Sequence, residues 1–208
     1  MLDKNGFDLW AKEYDDSVKE CYLNKEYPFD GYYDVLDNVL NRITKGAKVL
    51  DVGFGTGVLT KKIYDLNCDV YGIDFSRAMV NISKNKMPKG KFYECDFNND
   101  LPKNILAEKY DSIISTYAIH HLEDIKKVEF IGVLKTLLND NGKIIIGDIA
   151  YSTEQDLLKC KSENDFFDEE EFYIVAETFL KQLKANNIEA EFIKISSCAG
   201  IIIIKKEV

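Results

Sequence analysis

Lys48-Val49-Leu50-Asp51-Val52-Gly53-Phe54-Gly55-Thr56-Gly57 decides how the rest of this chain is read. Its first five residues make a short buried strand. Three glycines then fall at every second position before a helical pattern takes over at 58–66. A strand that dissolves into glycines and restarts as a helix is the entry turn of an open α/β sheet, where ligands bind at the carboxyl ends of the strands. Glycine accepts positive φ and has no Cβ to hold a ligand away. The helix that follows offers unpaired N–H groups and the positive end of its dipole. A tight turn without a ligand is the competing reading of the loop taken alone.

Outward from the loop the pattern alternates. Residues 69–74, 91–94, 110–115 and 143–149 read as further strands, and 76–86 and 125–138 as helices. Strands this apolar, separated by helices, imply a parallel sheet covered on both faces. A helix is expected over about 169–185, with the acidic run 163–171 as its solvated start, where acids favour the N-terminal dipole. The strands 190–196 and 200–205 are joined by a turn too short for a crossover, so they pair antiparallel. Ahead of the sheet, Phe7, Trp10, Ala11 and Tyr14 recur at helical spacing, and 32–43 turns Val35, Leu36, Val39 and Leu40 inward. Pro28 and Gly31 mark the break between those helices.

At 208 residues the chain fits one domain with one substantial core. A net charge of −9, with no cluster of Lys and Arg, argues against a nucleic-acid partner and for small-molecule chemistry. The N-terminus has no apolar core of a secretory signal, and no apolar run reaches the roughly 18 residues of a membrane span. Five scattered cysteines without a CxxC pair read as reduced thiols, so a cytoplasmic protein off the membrane is expected. The oligomeric state is left open.

Spacing narrows the ligand. A dinucleotide site wants GxGxxG, and counting from Gly53 the last glycine would stand where Val58 does. The pattern is instead GxGxG above an acid, Asp51. That acid repels a pyrophosphate but suits the cationic amino end of a methionine moiety, directly or through water. Asp74 ends the second strand 21 residues after Gly53, near the separation at which a carboxylate takes both ribose hydroxyls. Asp96 ends the third strand, in place to accept from an adenine amino group. Phe54, Gly55, Gly57, Phe75 and Phe97 complete the expected cofactor contacts, with Tyr117 at the methionine end.

His120 and His121, the only histidines, fall just past the fourth strand. Adjacent side chains do not easily share one pocket. One of the two is expected to wall an acceptor pocket, and either can serve as a base, packing at the next helix start being the competing role. Without an acid nearby in space the pair chelates poorly, so no metal is expected. Trp10 and Tyr14 lie one turn apart, as a lid over the site or simply as a packed face. Tyr27, Phe29, Tyr32 and Tyr33 add to an aromatic acceptor pocket.

These residues resemble the class I S-adenosylmethionine-dependent methyltransferases, and more narrowly the YrrT-like group. The likeness runs nearly end to end. It is carried by Phe7-Asp8-Leu9-Trp10-Ala11-Lys12-Glu13-Tyr14-Asp15, by the glycine loop, by Tyr71-Gly72-Ile73-Asp74 and Asp96-Phe97, and by the stretch from Ser115 through His120-His121-Leu122. The resemblance implies a Rossmann-like sheet of seven strands, mostly parallel, with helices on both faces and the last strand antiparallel. It implies one domain over 1–208, with 1–45 as helical lid and substrate segment and 46–208 as cofactor-binding core. It also implies that Gly53, Asp74 and Asp96 contact S-adenosyl-L-methionine and that Trp10 and Tyr14 lie over the site. Phe54 departs from the smaller residue or proline common at that loop position. The activity implied is in-line methyl transfer to a small-molecule acceptor, which calls for alignment and exclusion of water more than for a protein nucleophile. A non-catalytic module that senses S-adenosylmethionine or its demethylated product is the alternative.

Overall fold

β1 (Lys48–Val52) has β2 (Asp69–Asp74) on one side and β4 (Tyr110–Thr116) on the other, both parallel to it. β3 (Lys91–Glu94) extends the sheet beyond β2, and β5 (Leu138–Tyr151) extends it beyond β4, again in parallel. The order is β3-β2-β1-β4-β5-β8-β7, with β7 (Ala190–Lys194) and β8 (Ala199–Lys205) closing it. β8 runs antiparallel to both of its neighbours, so the hairpin read from the sequence is present. The structure is a computed structural model describing residues 14–206, with side chains from 16 onward.

Strand alternation gives the sheet two faces and two cores. In β8, Ile201 and Ile203 join Val35, Val39 and Ile63 on one face, while Ile202 and Ile204 join Ile131, Leu134 and Phe179 on the other. The first face is covered by α1 (Tyr14–Asn24), α2 (Tyr32–Leu40), α3 (Val58–Asp65) and α4 (Arg77–Lys86). The second is covered mainly by α6 (Asp124–Thr136) and α8 (Ala176–Ala185), with the short α5 (Lys103–Leu106) at its edge. α2 lies close on the sheet because β5 carries Gly147 there; a Cβ on it would stand 2.4 Å from Val35 Cγ1. Val35, Leu36 and Val39 are buried as their spacing predicts, and Leu40 is half-buried. Ser76 caps α4, its hydroxyl accepting from the Met79 N–H at 3.2 Å.

β5 begins at Leu138, inside the helix read over 125–138, which ends at Thr136, and a second stretch also differs from its reading. The helix expected over 169–185 begins only at Ala176, and α7 (Glu154–Glu163) precedes it, capped by Thr153 accepting from Asp156 N–H. Ile174 and Val175 form β6, paired parallel with Ala150 and Tyr151 of β5. A β-branched pair beside an open strand end takes the ladder in preference to a helical turn. Residues 164–173 are thereby stretched into a strap, with the Phe172 N–H donating to the His120 carbonyl at 2.9 Å and the Lys127 ammonium to the Phe172 carbonyl. The acids read as a solvated helix start sit on this strap, and Glu171 is drawn into a cavity wall.

The five cysteines are free thiols. Among the described residues, no helix is long and apolar enough to cross a membrane.

Candidate functional site

The sheet reverses its winding between β1 and β4, and the loops leaving those strands part there. A cleft opens at that point. Its floor is the glycine loop, with Asp74 and Phe75 from the end of β2, Phe97 after β3, and Thr116, Tyr117 and Ala118 from the end of β4.

The glycines of the loop serve different ends. Gly53 has φ +72, and a Cβ on it would meet Ala118 Cβ at 2.4 Å, so packing alone forbids a side chain. Gly55 has φ +55, and a Cβ on it would meet nothing within 4 Å; it faces open cleft. Gly57 is the N-cap of α3, with φ +78. Phe54 covers the loop from the sheet side, lying over Gly72 and edge-on to Phe92 with centroids 5.0 Å apart. It lines the cleft without blocking it.

Asp74 is held by the loop it serves. One oxygen accepts the Gly55 N–H at 2.8 Å, and the other accepts the Ser76 N–H at 2.9 Å. A carboxylate has about four acceptor sites, so the hydroxyls of a ribose can share it with the backbone. Asp51 lies beneath the loop and outside the cleft lining, 1% exposed. Its Oδ2 accepts the Thr60 hydroxyl at 2.6 Å, and its Oδ1 has no hydrogen-bond partner among the described residues. Burial pushes its carboxyl up to about 7, against the Thr60 hydrogen bond, with the charge of Asp74 adding to the rise. Asp96 is exposed and outside the lining, its oxygens accepting from the Asn98 N–H and side-chain amide and from the Asn99 amide. The ring beside it, Phe97, is the one that lines the cleft, stacked on Phe130.

A second cavity adjoins the first. Tyr117 and His121 line both. Tyr117 is held at φ +49, its N–H donating to the Gly147 carbonyl at 2.9 Å and its ring packed on Phe29 and Tyr32. The larger cavity is bounded by α1 and the turn after it (Ser17, Cys21, Tyr27, Pro28, Phe29), by both histidines, and by Phe166, Asp168, Glu171 and Tyr173 of the strap and its end.

Both histidines line this one cavity, contrary to the expectation that neighbours do not share a pocket. The 3-10 turn Ile119–His121 brings their ring centroids to 4.3 Å at 58°. His120 Nδ1 lies 2.6 Å from Asp148 Oδ1, and the other Asp148 oxygen accepts the Ile119 and His120 N–H groups. Burial works against a charged His120, but the Asp148 carboxylate outweighs it and holds the imidazole above its usual value. Burial likewise works against a charged Asp148, and His120 together with the Ile149 N–H outweighs it and holds the carboxyl low. His121 Nδ1 meets Glu171 Oε2 at 2.9 Å.

Asp148 and Glu171 are the partners that the sequence reading missed. Asp148 carried a signal, an acid near the end of the fifth strand in an otherwise apolar run, as Asp51, Asp74 and Asp96 stand near the ends of theirs. Glu171 carried only its place among phenylalanines in an acidic stretch. The expectation of no metal assumed that no acid stands near the histidines. Glu171 does, and one ligand atom from each of His120, His121 and Glu171 lies within 4.8 Å of the others. Tyr27 and Phe29 line the larger cavity and Tyr32 the cleft, while Tyr33 packs edge-on against Tyr22 and Tyr32. Trp10 lies outside the described residues, as does the side chain of Tyr14, which begins α1.

Residues 43–203 match the family model described as a methyltransferase domain. An uncharacterized methyltransferase from Oceanobacillus iheyensis is 31% identical over 210 residues, covering 96% of this chain and 95% of that protein. Another, from Anoxybacillus flavithermus, is 41% identical over 145 residues, 70% of this chain and 66% of that protein. Among solved structures, magnesium protoporphyrin IX methyltransferase from Synechocystis, with SAH bound, superposes with a TM-score of 0.67 at 20% identity, over 85% of this chain and 84% of that one.

Proposed function

The chain belongs to the methyltransferase-domain family and is an S-adenosylmethionine-dependent methyltransferase, and we propose that it methylates a small molecule received in the cavity beside its histidines. The observation that carries this is the shared wall: a cleft suited to the donor and a separate cavity meet at Tyr117 and His121. A module that only sensed the cofactor would have no use for the second chamber. The finer placing, within the YrrT-like group, rests on the aromatic N-terminal segment and the His-His stretch.

The residues of the cleft fit the cofactor. Gly55 leaves open space where a Cβ would stand, Asp74 is fixed to take ribose hydroxyls, and Phe75 and Phe97 offer rings for an adenine. Asp51, with its unpartnered Oδ1, would take up the ammonium end directly or through water. Asp96 would reach an adenine amino group only at the edge of the site. When bound, S-adenosylmethionine supplies a methyl group activated by its sulfonium.

The chain's own part is alignment, so that the methyl group passes in line from donor to acceptor, together with removal of water. Tyr117, fixed by Gly147, Phe29 and Tyr32, sets the boundary between the chambers. His120, oriented by Asp148, and His121, oriented by Glu171, are placed to receive a proton from an acceptor that must lose one. With no strong basic patch in an acidic chain, the reading is of a soluble cytoplasmic enzyme that acts on metabolites without nucleic acid or membrane.

Calorimetric titration tests the donor half. S-adenosylmethionine should bind and NAD should not, and Asp74→Asn should weaken S-adenosylmethionine by about 1–3 kcal/mol. Preference for NAD would sink the reading, and unchanged affinity in the variant would reduce Asp74 to a structural residue. A metabolite pool with labelled methyl donor tests the acceptor half; label confined to protein or nucleic acid added in parallel would refute the small-molecule acceptor.

A further inference from the structure

The larger cavity has a one-sided chemistry. Its apolar wall is largely aromatic, built from Tyr27, Phe29, Tyr117 and Tyr173. Its acids are Asp168 and Glu171, and no Lys or Arg lines it among the described residues. Lys127 of α6, bound to the end of the strap, is fully buried and committed to Asp124 Oδ1 at 2.8 Å and to the Phe172 carbonyl. A protonated His120 adds no net charge, because Asp148 stands 2.6 Å from it with its carboxylate fully buried.

The Tyr27 and Tyr173 rings meet at right angles with centroids 6.3 Å apart, and their hydroxyls are 2.5 Å apart. Each hydroxyl thus engages the other, the Asp168 N–H also donates to the Tyr27 hydroxyl, and Phe167 stacks on one face of the Tyr27 ring, so the pair offers the cavity its remaining ring surface. Ring faces attract a cation within about 6 Å of the centroid, the more so where water is excluded. The Glu171 side chain, 8% exposed, sets a carboxylate in the same cavity wall, with one oxygen engaged by His121. An anionic acceptor entering here would lose its hydration against Asp168 and Glu171 and, among the described residues, find no guanidinium or ammonium to replace it.

We propose that the acceptor carries a positively charged nitrogen, an amine or ammonium group, seated in this cavity against its aromatic wall and Glu171. This rests on the small-molecule reading above. It assigns the cavity's charge preference to the strap and the α1 turn, two segments that neither the glycine loop nor the strand ends define.

Three probes with one ring and different heads test it: benzylamine, benzyl alcohol and phenylacetate, each titrated calorimetrically at pH 7 into the protein saturated with S-adenosylhomocysteine. Benzylamine should bind at least about tenfold more tightly than the other two. Glu171→Gln should bring benzylamine to the level of benzyl alcohol while S-adenosylhomocysteine affinity holds. Tyr27→Leu removes a ring without touching a charge, and should cost benzylamine several-fold more than it costs benzyl alcohol. Equal binding of the three, a preference for phenylacetate, binding of none, or equal losses in the Tyr27 variant would each overturn the proposal. So would zinc chloride binding tightly and excluding benzylamine, since Glu171 would then be a metal ligand with the histidines. Failure to bind S-adenosylhomocysteine at all would instead strike the donor reading, so the two failures are told apart in one sample.

Discussion

The donor cleft and the acceptor cavity share Tyr117 and His121, yet the chain builds them in opposite ways. The cleft is assembled from the residues just after four strands, each acid or glycine standing within a few positions of the β-strand that presents it. The cavity is assembled from the turn near residue 28, the 3-10 turn near 120 and the strap near 170, tied by contacts such as Tyr27 to Tyr173 and His121 to Glu171. A site at strand ends is fixed by the sheet that any such sequence must make. A site between distant segments is fixed only once those segments have packed.

Each region also buries a carboxylate, and the two should respond to pH with opposite sign. Asp148 is held low and His120 is held high, so their pairing stabilises the fold fully between about pH 3.9 and 6.5, the ordinary values of the two groups. That stabilisation is lost as pH falls through the depressed Asp148 value, and again as pH rises through the elevated His120 value. His120→Ala leaves Asp148 buried with backbone partners alone and should cost about 3–5 kcal/mol near pH 6, less at high pH. Asp51, pushed up to about 7, favours the protonated fold, so it destabilises the ligand-free protein increasingly from about pH 3.9 to 7. Asp51→Asn should therefore gain stability above pH 7, by at most about 4 kcal/mol, and little at pH 4. Urea unfolding across that range checks both. Parallel pH profiles for the two variants would erase the distinction between the regions.

The same contrast sets what the sequence made legible. Glycine spacing, acids at strand ends and the period-two apolar runs are local signals, and they yielded the sheet, its antiparallel last strand and the cleft residues Asp74, Phe75 and Phe97. Asp96 is where that logic stops. The position is right along the chain, but its oxygens are turned to Asn98 and Asn99. The strap escaped altogether because Ile174 and Val175 read as helix until β5 is there to pair with them. Without the strap there was no Glu171 beside His121, and the expectation about metals lacked the acid it depended on.

Two loop glycines offer a sharper cut within the cleft. A Cβ at Gly53 would sit 2.4 Å from Ala118 Cβ, whereas one at Gly55 would meet nothing in the ligand-free protein. Gly53→Ala should lose about 2–3 kcal/mol of stability, from overpacking and positive φ together. Gly55→Ala should lose about 1 kcal/mol, from φ alone, yet weaken S-adenosylmethionine by at least about tenfold, because its methyl group projects into the cleft. Denaturation and calorimetry on the pair separate the effects. Cofactor affinity untouched in Gly55→Ala would mean that the open space beside it belongs to solvent.

The smallest effect expected lies at the rim. Asp96 accepts three hydrogen bonds from Asn98 and Asn99, all from exposed groups, so it shapes the loop that carries Phe97. Removing an exposed acceptor leaves its donors to water, and Asp96→Ala should change stability by no more than about 0.5 kcal/mol. Its effect on cofactor affinity then separates two accounts of the adenine end. If Phe97 does the holding, affinity should fall by less than about threefold, since the ring stays packed on Phe130. A loss of tenfold or more would mean that the carboxylate turns from its asparagines to the adenine amino group on binding. The cleft would then share the cavity's property of being completed only when its parts come together.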